Sequence, residues 1–173
     1  MNIELRAIRE QQKPVLSRLM QLYLYEFSEL EGFDISPEGL FEYRHLDSYW
    51  NSAGRFPFLI YAETRIAGFV LVNSETCLWD GDARSIAEFF VLRRYRRQGV
   101  GRTAALLVFD MFPGKWEVRE IPENEVGQVF WRKIISEYTG GNFQETVLDN
   151  EVWRGPVQAF YSVVYPGESE ETR

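Results

Sequence analysis

The sequence predicts an α/β fold built on a mixed sheet. Two observations carry this expectation. Segments with strand and helix periodicity follow one another in the order β-α-α-β-β-β-α-β-α-β-β. Three consecutive strands in the middle, two of them joined as a hairpin, exclude a doubly wound sheet, and the flanking βα units call for helices packed on the sheet.

Each element has a local reason. Residues 2–8 alternate Ile3, Leu5 and Ala7 against polar neighbours, the period of a half-buried strand. From Pro14 to about Leu30, apolar residues including Leu16, Met20, Tyr23 and Phe27 recur at helical spacing, and Gly32 and Asp34 end the run. Ser36-Pro37-Glu38 has the form of a helix start, with Ser as N-cap and Pro at the first helical position, so a second helix is expected through Leu40, Phe41 and Leu46. Apolar runs at 58–62 and 66–72 flank Glu63-Thr64-Arg65 and read as a hairpin. A strand over 85–92 precedes a basic, glycine-containing stretch and a helix from Gly99 to about Met111, which Pro113-Gly114 ends. Residues 116–121 read as a short strand and 124–138 as a helix. Strands at 143–148 and 157–164, linked through Gly155-Pro156, close the chain.

The 173 residues suit one domain, expected over 1–165 and followed by an acidic tail at 166–173. No repeat or linker divides it. A net charge of −7 counts against a nucleic-acid binder, which needs a basic face. Cys77 and His45 are each the only residue of their type, so neither a disulfide nor a Cys/His metal cluster is expected. The N-terminal residues lack an apolar signal-peptide core, and the apolar runs fall well short of the ~20 residues of a membrane span. The expectation is a cytoplasmic protein with no metal and no membrane partner. Aromatics at 16% are abundant enough that some rings should line a site.

The most informative segment runs from Glu88 to Arg102. Five of the chain's sixteen arginines (Arg93, Arg94, Arg96, Arg97 and Arg102) fall within ten residues. In an acidic protein that local inversion of charge points to a polyanion. Gly99 and Gly101 stand where the chain enters a helix; there backbone N–H groups face an anion and arginines add charge-assisted bonds. The plainer alternative is a solvated basic turn whose glycines serve only positive φ. Gly99-x-Gly101-x-x-Ala104 also fits a relaxed dinucleotide fingerprint, with Glu117 or Glu120 as the ribose acid. Two features oppose this: residues 93–98 intervene between strand and glycines, and the βα units are too few. A Walker loop fails because Arg102-Thr103 replaces Lys-Ser/Thr.

At these residues the chain resembles the GNAT superfamily of acyl-CoA-dependent N-acetyltransferases. The family's loop Arg/Gln-x-x-Gly-x-Gly/Ala stands here as Arg96-x-x-Gly99-x-Gly101, after the apolar Phe89-Phe90-Val91 and the aromatic Tyr95. The family's Asn-x-x-small-x-x-apolar-Tyr stands as Asn124-x-x-Gly127-x-x-Phe130-Trp131. The resemblance implies the acyl-CoA N-acyltransferase fold, with a mixed, mostly antiparallel central sheet of about seven strands flanked by helices. It implies acetyl-CoA as co-substrate and a homodimer as a plausible assembly. The backbone at Phe90 and Val91 would bind the pantetheine arm as an added strand. Arg96, Arg97, Gln98, Gly99, Val100, Gly101 and Arg102 would hold the pyrophosphate, and Asn124 and Phe130 the inner arm. Two departures stand out. Arg93 replaces a common Pro, and Trp131 replaces the Tyr that serves the family as general acid, a role an indole cannot fill.

Acetyl transfer needs a neutral amine, whereas an alkylammonium has a pKa near ~10, so a base or a water chain must take its proton. Glu88 is the only acid in the apolar strand, and strict alternation places Ile86, Glu88 and Phe90 on one face, a setting that raises a carboxylate's pKa. The alternative for Glu88 is a structural carboxylate. His45 is a second candidate base, and Tyr138 a candidate for the missing acid. Tyr23, Tyr25, Glu26, Glu29, Glu31, Tyr43 and Trp50 on the first helices would suit a cationic amine, or else form core and a solvated face. Without a Cys or Ser nucleophile paired to a base, transfer is expected to be direct, in a ternary complex. The acceptor is expected to be a small amine or a protein amino group. A non-catalytic acyl-CoA sensor or interaction module is the alternative.

Overall fold

The computed structural model describes residues 1–162, so the 166–173 tail and the end of the expected last strand lie outside the described residues. In chain order the elements are β1 (Ile3–Ala7), α1 (Lys13–Glu31), α2 (Ser48–Asn51), β2 (Phe56–Ala62), β3 (Arg65–Asn73), β4 (Ala83–Val91), α3 (Val100–Met111), β5 (Gly114–Arg119), α4 (Glu125–Thr139), β6 (Phe143–Asp149) and β7 (Arg154–Ser162). The seven strands form one sheet in the order β1-β2-β3-β4-β5-β7-β6. Only β4 and β5 are parallel; every other neighbouring pair is antiparallel.

The sheet separates two cores. On one face, Leu16, Met20 and Tyr23 of α1 pack on Phe69, Leu71 and Phe90. On the other, Val108 and Phe109 of α3 and Trp131 and Ile135 of α4 pack on Val72 and Trp116. Each such fully buried side chain contributes roughly 1.5–3 kcal/mol, and together they hold the helices that carry the site.

The expected second helix at 36–46 does not form. Residues 36–47 are turns and irregular chain, and only the four residues of α2 are helical in that region. Two local reasons are visible. Gly39 adopts φ 78°, which ends any turn begun at Ser36. The Gln21 side chain then clasps Phe41 from both sides: its Nε2 donates to Phe41 O at 3.0 Å, and its Oε1 accepts from Phe41 N at 2.8 Å. That clasp takes the backbone groups a helix would have used. A second difference concerns Gly155-Pro156, which lie inside β7 rather than before it. A Cβ at Gly155 would lie 2.2 Å from Glu120 O, so only glycine lets the two backbones approach there.

The feature that shapes the site is a break in register. Leu71 pairs with Glu88, but Val72 pairs with Ile86, leaving Ala87 as the extra residue of a β-bulge. Alternation therefore fails across the bulge. Ile86 enters the core under α3 and α4, whereas Phe90 enters the core under α1, taking Glu88 with it. The expected common face for Ile86, Glu88 and Phe90 is corrected accordingly. Pairing of β4 with β5 also stops at Ile86 and Val118, so from Ala87 to Val91 the backbone edge facing β5 has no strand partner among the described residues.

Candidate functional site

Where β4 and β5 part, a cavity of about 400 Å³ opens. Tyr23 and Phe27 of α1, Glu88 and Phe89 of β4, and Arg119 and Glu120 at the end of β5 are among its walls. Tyr43 reaches it because the 36–47 segment is not helical.

Glu88 is the best-defined group. The Tyr23 hydroxyl donates to its Oε2 at 2.5 Å and the Tyr43 hydroxyl to its Oε1 at 3.1 Å. Burial pushes the carboxyl up from its ordinary value to about 7, against the two phenol donors and the positive charge of Arg119, which favour the ionised form. Desolvation beside Glu88 keeps both phenols well above the usual tyrosine range, so they act as neutral donors.

The other candidates separate into groups. Trp131 is core, edge-on to Phe89 and Phe130 with ring centroids 5.0 and 4.9 Å apart. Tyr138 lies outside the cavity wall; its hydroxyl donates to Asp110 Oδ1 at 2.8 Å and meets Ser162 Oγ at 2.9 Å, joining α4 to α3 and β7. The structure does not bring it to Glu88. His45 is exposed, though it borders the cavity edge-on to Tyr43. Of the acceptor-side set, Tyr23, Glu31 and Tyr43 line the cavity, Tyr25 is exposed, and Trp50 donates its indole N–H to Ile8 O at 3.0 Å.

The arginine loop lies beyond the open edge of β4. Its backbone passes through left-handed residues at Arg97 (φ 59°) and Gly99 (φ 81°) into α3. The first intrahelical bond runs from Thr103 N to Gly99 O at 2.9 Å, so the amides of Val100, Gly101 and Arg102 have no acceptor within the helix. That is the electropositive end of a twelve-residue helix. Long-range pairing reduces the free charge. Glu26 of α1 holds Arg93 at 2.9 Å and Arg96 at 2.6 Å, and Glu137 of α4 takes Arg102 in a two-bond fork. Arg96 Nε also donates to Val91 O at 2.7 Å, and Gln98 Nε2 to Arg94 O at 2.6 Å, which fixes the loop to the strand end. Arg94 and Arg97 are exposed and have no carboxylate partner among the described residues. Gly101 faces inward, where an added Cβ would stand 3.4 Å from the Phe130 ring and 3.6 Å from Val91. Asn124 caps α4, its Oδ1 accepting from Gly127 N at 3.0 Å, and borders the cavity.

Arg119 lines the cavity without having been legible as a site residue in the sequence, and Glu120, read there only as a possible ribose acid, lines it too. Their signal was positional: Arg119 ends β5 one residue beyond the last pairing with β4, and Glu120 follows it.

A sequence model of the acetyltransferase (GNAT) family matches residues 17–128. No curated protein sequence matches the chain. Among solved structures, an acetyltransferase from Thermus thermophilus has a TM-score of 0.69 at 13% identity, over 93% of this chain and 97% of that one. The PaiA N-acetyltransferase from Thermoplasma acidophilum, in complex with coenzyme A, has a TM-score of 0.64 at 12% identity, over 93% and 99%. The spermidine N-acetyltransferase from Vibrio cholerae, in complex with CoA and spermine, has 0.62 at 11%, over 92% and 95%. At these identities the likeness is one of fold. The sequence match itself runs from α1 through the Glu88 strand and the arginine loop to the Asn124 cap, and the chain belongs to the acetyltransferase (GNAT) family.

Proposed function

We propose that the protein transfers an acetyl group from acetyl-CoA to a primary amine, directly and in a ternary complex. The observation that carries this reading is Glu88, set between two phenol donors at the mouth of the β4/β5 opening with a pKa of about 7. The chain's own groups suit the co-substrate. The unpartnered β4 edge over 87–91 suits an extended amide-bearing arm at Phe90 and Val91. The α3 amides and the segment from Arg96 through Arg97, Gln98, Gly99, Val100 and Gly101 to Arg102 suit a pyrophosphate. Phe130, beside both Gly101 and Phe89, and Asn124 at the cavity wall would suit the inner arm.

Acetyl-CoA supplies an activated acyl carbon with a thiolate leaving group. Glu88 takes one proton from the ammonium form of the acceptor, freeing the nitrogen lone pair. The new C–N bond forms as the C–S bond breaks, and the second nitrogen proton ends on the departing sulfur. A carboxylate with pKa near 7 is a stronger base than an ordinary one and is still about half ionised at neutrality. Tyr23 and Tyr43 hold its two oxygens in place. Trp131, being core, contributes packing and no proton.

Thermal-shift titration with acetyl-CoA, NAD and ATP, followed by free-thiol detection over an amine panel, tests the reading. A selective shift with acetyl-CoA and CoA release with at least one amine are expected. A shift with NAD and none with acetyl-CoA overturns it. Acetyl-CoA binding with no CoA release from any small or protein amine supports an acyl-CoA sensor instead.

A further inference from the structure

Among the described residues, every partly buried arginine but one has a carboxylate partner. Arg55 pairs with Glu75, Arg84 with Asp82 and Arg132 with Glu145. The exception is Arg119, in the wall of the cavity, one residue past the last β4 pairing.

Arg119 is held firmly without being neutralised. Its guanidinium stacks 4.9 Å from the centroid of the Trp153 ring, and its Nη1 donates to Cys77 Sγ at 3.1 Å. The Cys77 side of that contact is itself fixed. The buried Glu117 carboxylate accepts from the backbone amides of Cys77, Leu78 and Trp79 at 2.6, 2.8 and 3.0 Å. A thiol is a weak acceptor and a ring face takes no N–H in the guanidinium plane, so most of the five donors have no strong protein partner among the described residues. A guanidinium taken partly out of water and left unpaired is costly, which makes an anion brought by a ligand the natural complement.

The direction of Arg119 follows from the strand. Trp116 and Val118 enter the core under α3 and α4, so Glu117 and Arg119 face the opposite side of the sheet, where Tyr23, Tyr43 and Glu88 meet. Glu120, next along the chain, stands beside Gln158 on the first side and does not compensate Arg119. Arg119 is close enough to Glu88 to favour its ionised form. Of the other charged residues in the wall, Arg55 and Glu75 pair with each other and Glu120 is held toward its neutral form by burial, which leaves Glu88 and Glu31 toward α1 and Arg119 at the end of β5.

We propose that the acceptor carries a carboxylate as well as its amine, being an amino acid rather than a simple amine, and that Arg119 binds the carboxylate while Glu88 faces the amine. This deepens the N-acetyltransferase reading above and rests on it. The same arrangement disfavours a diamine, whose second ammonium would meet Arg119.

The test compares wild type, Arg119→Gln and Arg119→Lys on acceptors matched in pairs. Phenylalanine is set against phenethylamine and lysine against cadaverine, while β-alanine and 4-aminobutyrate report how far the carboxylate stands from the amine. Wild type should favour the amino acid of a pair at least tenfold in kcat/KM. Arg119→Gln should raise KM for that amino acid at least tenfold, with a smaller change in kcat and unchanged acetyl-CoA affinity and unfolding midpoint. Arg119→Lys, which keeps the charge and loses the fork, should restore part of the loss, and it supplies the readout if Arg119→Gln does not fold. Equal turnover of both members of every pair by wild type, or an unchanged KM in folded Arg119→Gln, overturns the proposal. If acetyl-CoA binds and no acceptor releases CoA, the transferase reading has failed, and calorimetric titration of the same amino acids into CoA-loaded protein decides Arg119 separately. Binding that Arg119→Gln abolishes upholds the carboxylate site; no binding to wild type overturns it.

Discussion

Tyr23 and Glu88, 65 positions apart in the chain, meet through a 2.5 Å hydrogen bond that joins α1 to β4 across the cavity. The contact exists because the bulge at Ala87 turns Glu88 toward α1. Two opposing effects meet in it. Burial raises the carboxyl's pKa, and the phenol donors hold back the rise, leaving it at about 7. A deeper burial without the phenols would leave a neutral acid at physiological pH, and full exposure would leave a weak base.

Replacing Glu88 by Gln keeps an acceptor oxygen for the phenols and removes the proposed base. Turnover should fall by ~10²–10⁴, with acetyl-CoA affinity retained. The residual rate should climb with pH as free amine becomes available. Because the folded pKa of Glu88 lies above its ordinary value of 4.5, its contribution to stability is lost as pH rises through about 7. The variant's unfolding midpoint at pH 8 should therefore equal or exceed that of wild type. A lower midpoint with normal turnover per folded molecule would identify Glu88 as a structural carboxylate.

Tyr23→Phe acts on the same group through its hydrogen-bond donor. Removing the shorter of the two phenol bonds withdraws stabilisation from the carboxylate, so the pKa of Glu88 should rise further. The acidic limb of the pH–rate profile should move upward by about one unit, while acetyl-CoA affinity stays the same. Tyr43→Phe should shift it in the same direction by less, its bond being 3.1 Å. An unmoved limb in both variants would separate the profile from Glu88.

The strands, the hairpin and the two long helices on the loop side were legible because their apolar periods are local and unbroken. Glu88 was legible too, as the only acid in its strand, but its face was not. A one-residue bulge is invisible to an alternation that assumes none, and here it inverted the relation of Ile86 to Phe90. Ser36-Pro37 signalled a helix on good local grounds, and Gln21, fifteen positions upstream of Ser36, overrode it through Phe41. The arginine cluster was plain, whereas its pairing with Glu26 and Glu137 depends on contacts 67 and 35 positions apart. Arg119 gave no local signal, since its isolation is a property of the folded neighbourhood.

Gly101 and Gly99 are glycines for different reasons, and substitution should separate them. At Gly101 a Cβ would meet Phe130 at ordinary contact distance, so Gly101→Ala should keep acetyl-CoA affinity within about threefold, or ~0.7 kcal/mol. The branched side chain of Gly101→Val has to enter the Phe130 ring. It should both lower the unfolding midpoint and weaken binding at least tenfold, about 1.4 kcal/mol. Gly99 has nothing within 4 Å of a would-be Cβ, but its φ of 81° strains any other residue by roughly 1 kcal/mol. Titration calorimetry and unfolding scans on Gly101→Ala, Gly101→Val and Gly99→Ala distinguish packing from backbone strain. Equal losses for Gly101→Ala and Gly101→Val would instead place the ligand directly against the Cα of Gly101.

Glu120 offers a test of the buried electrostatics on the other side of β5. It is 4% exposed, and neither carboxyl oxygen has a hydrogen-bond partner among the described residues. Gln158 beside it gives its Nε2 to Glu145 Oε2 at 2.8 Å, and its own amide oxygen also lacks a donor. Burial has pushed the Glu120 carboxyl up to about 8, with Gln158 and Arg132 opposing the rise and Glu145 adding to it, and a protonated Glu120 would offer the donor that the Gln158 oxygen lacks. The sign follows from the raised value. The stability Glu120 contributes is fully present below its ordinary pKa of 4.5 and is lost as pH rises through about 8. Glu120→Gln carries a neutral donor at every pH and escapes that loss. Its midpoint should match wild type near pH 5 and exceed it at pH 9 by about 5 °C, roughly 2 kcal/mol. Unfolding scans of both proteins from pH 5 to 9 measure the gap directly. A difference that does not widen with pH would mean that Glu120 is ionised throughout and solvated where it stands.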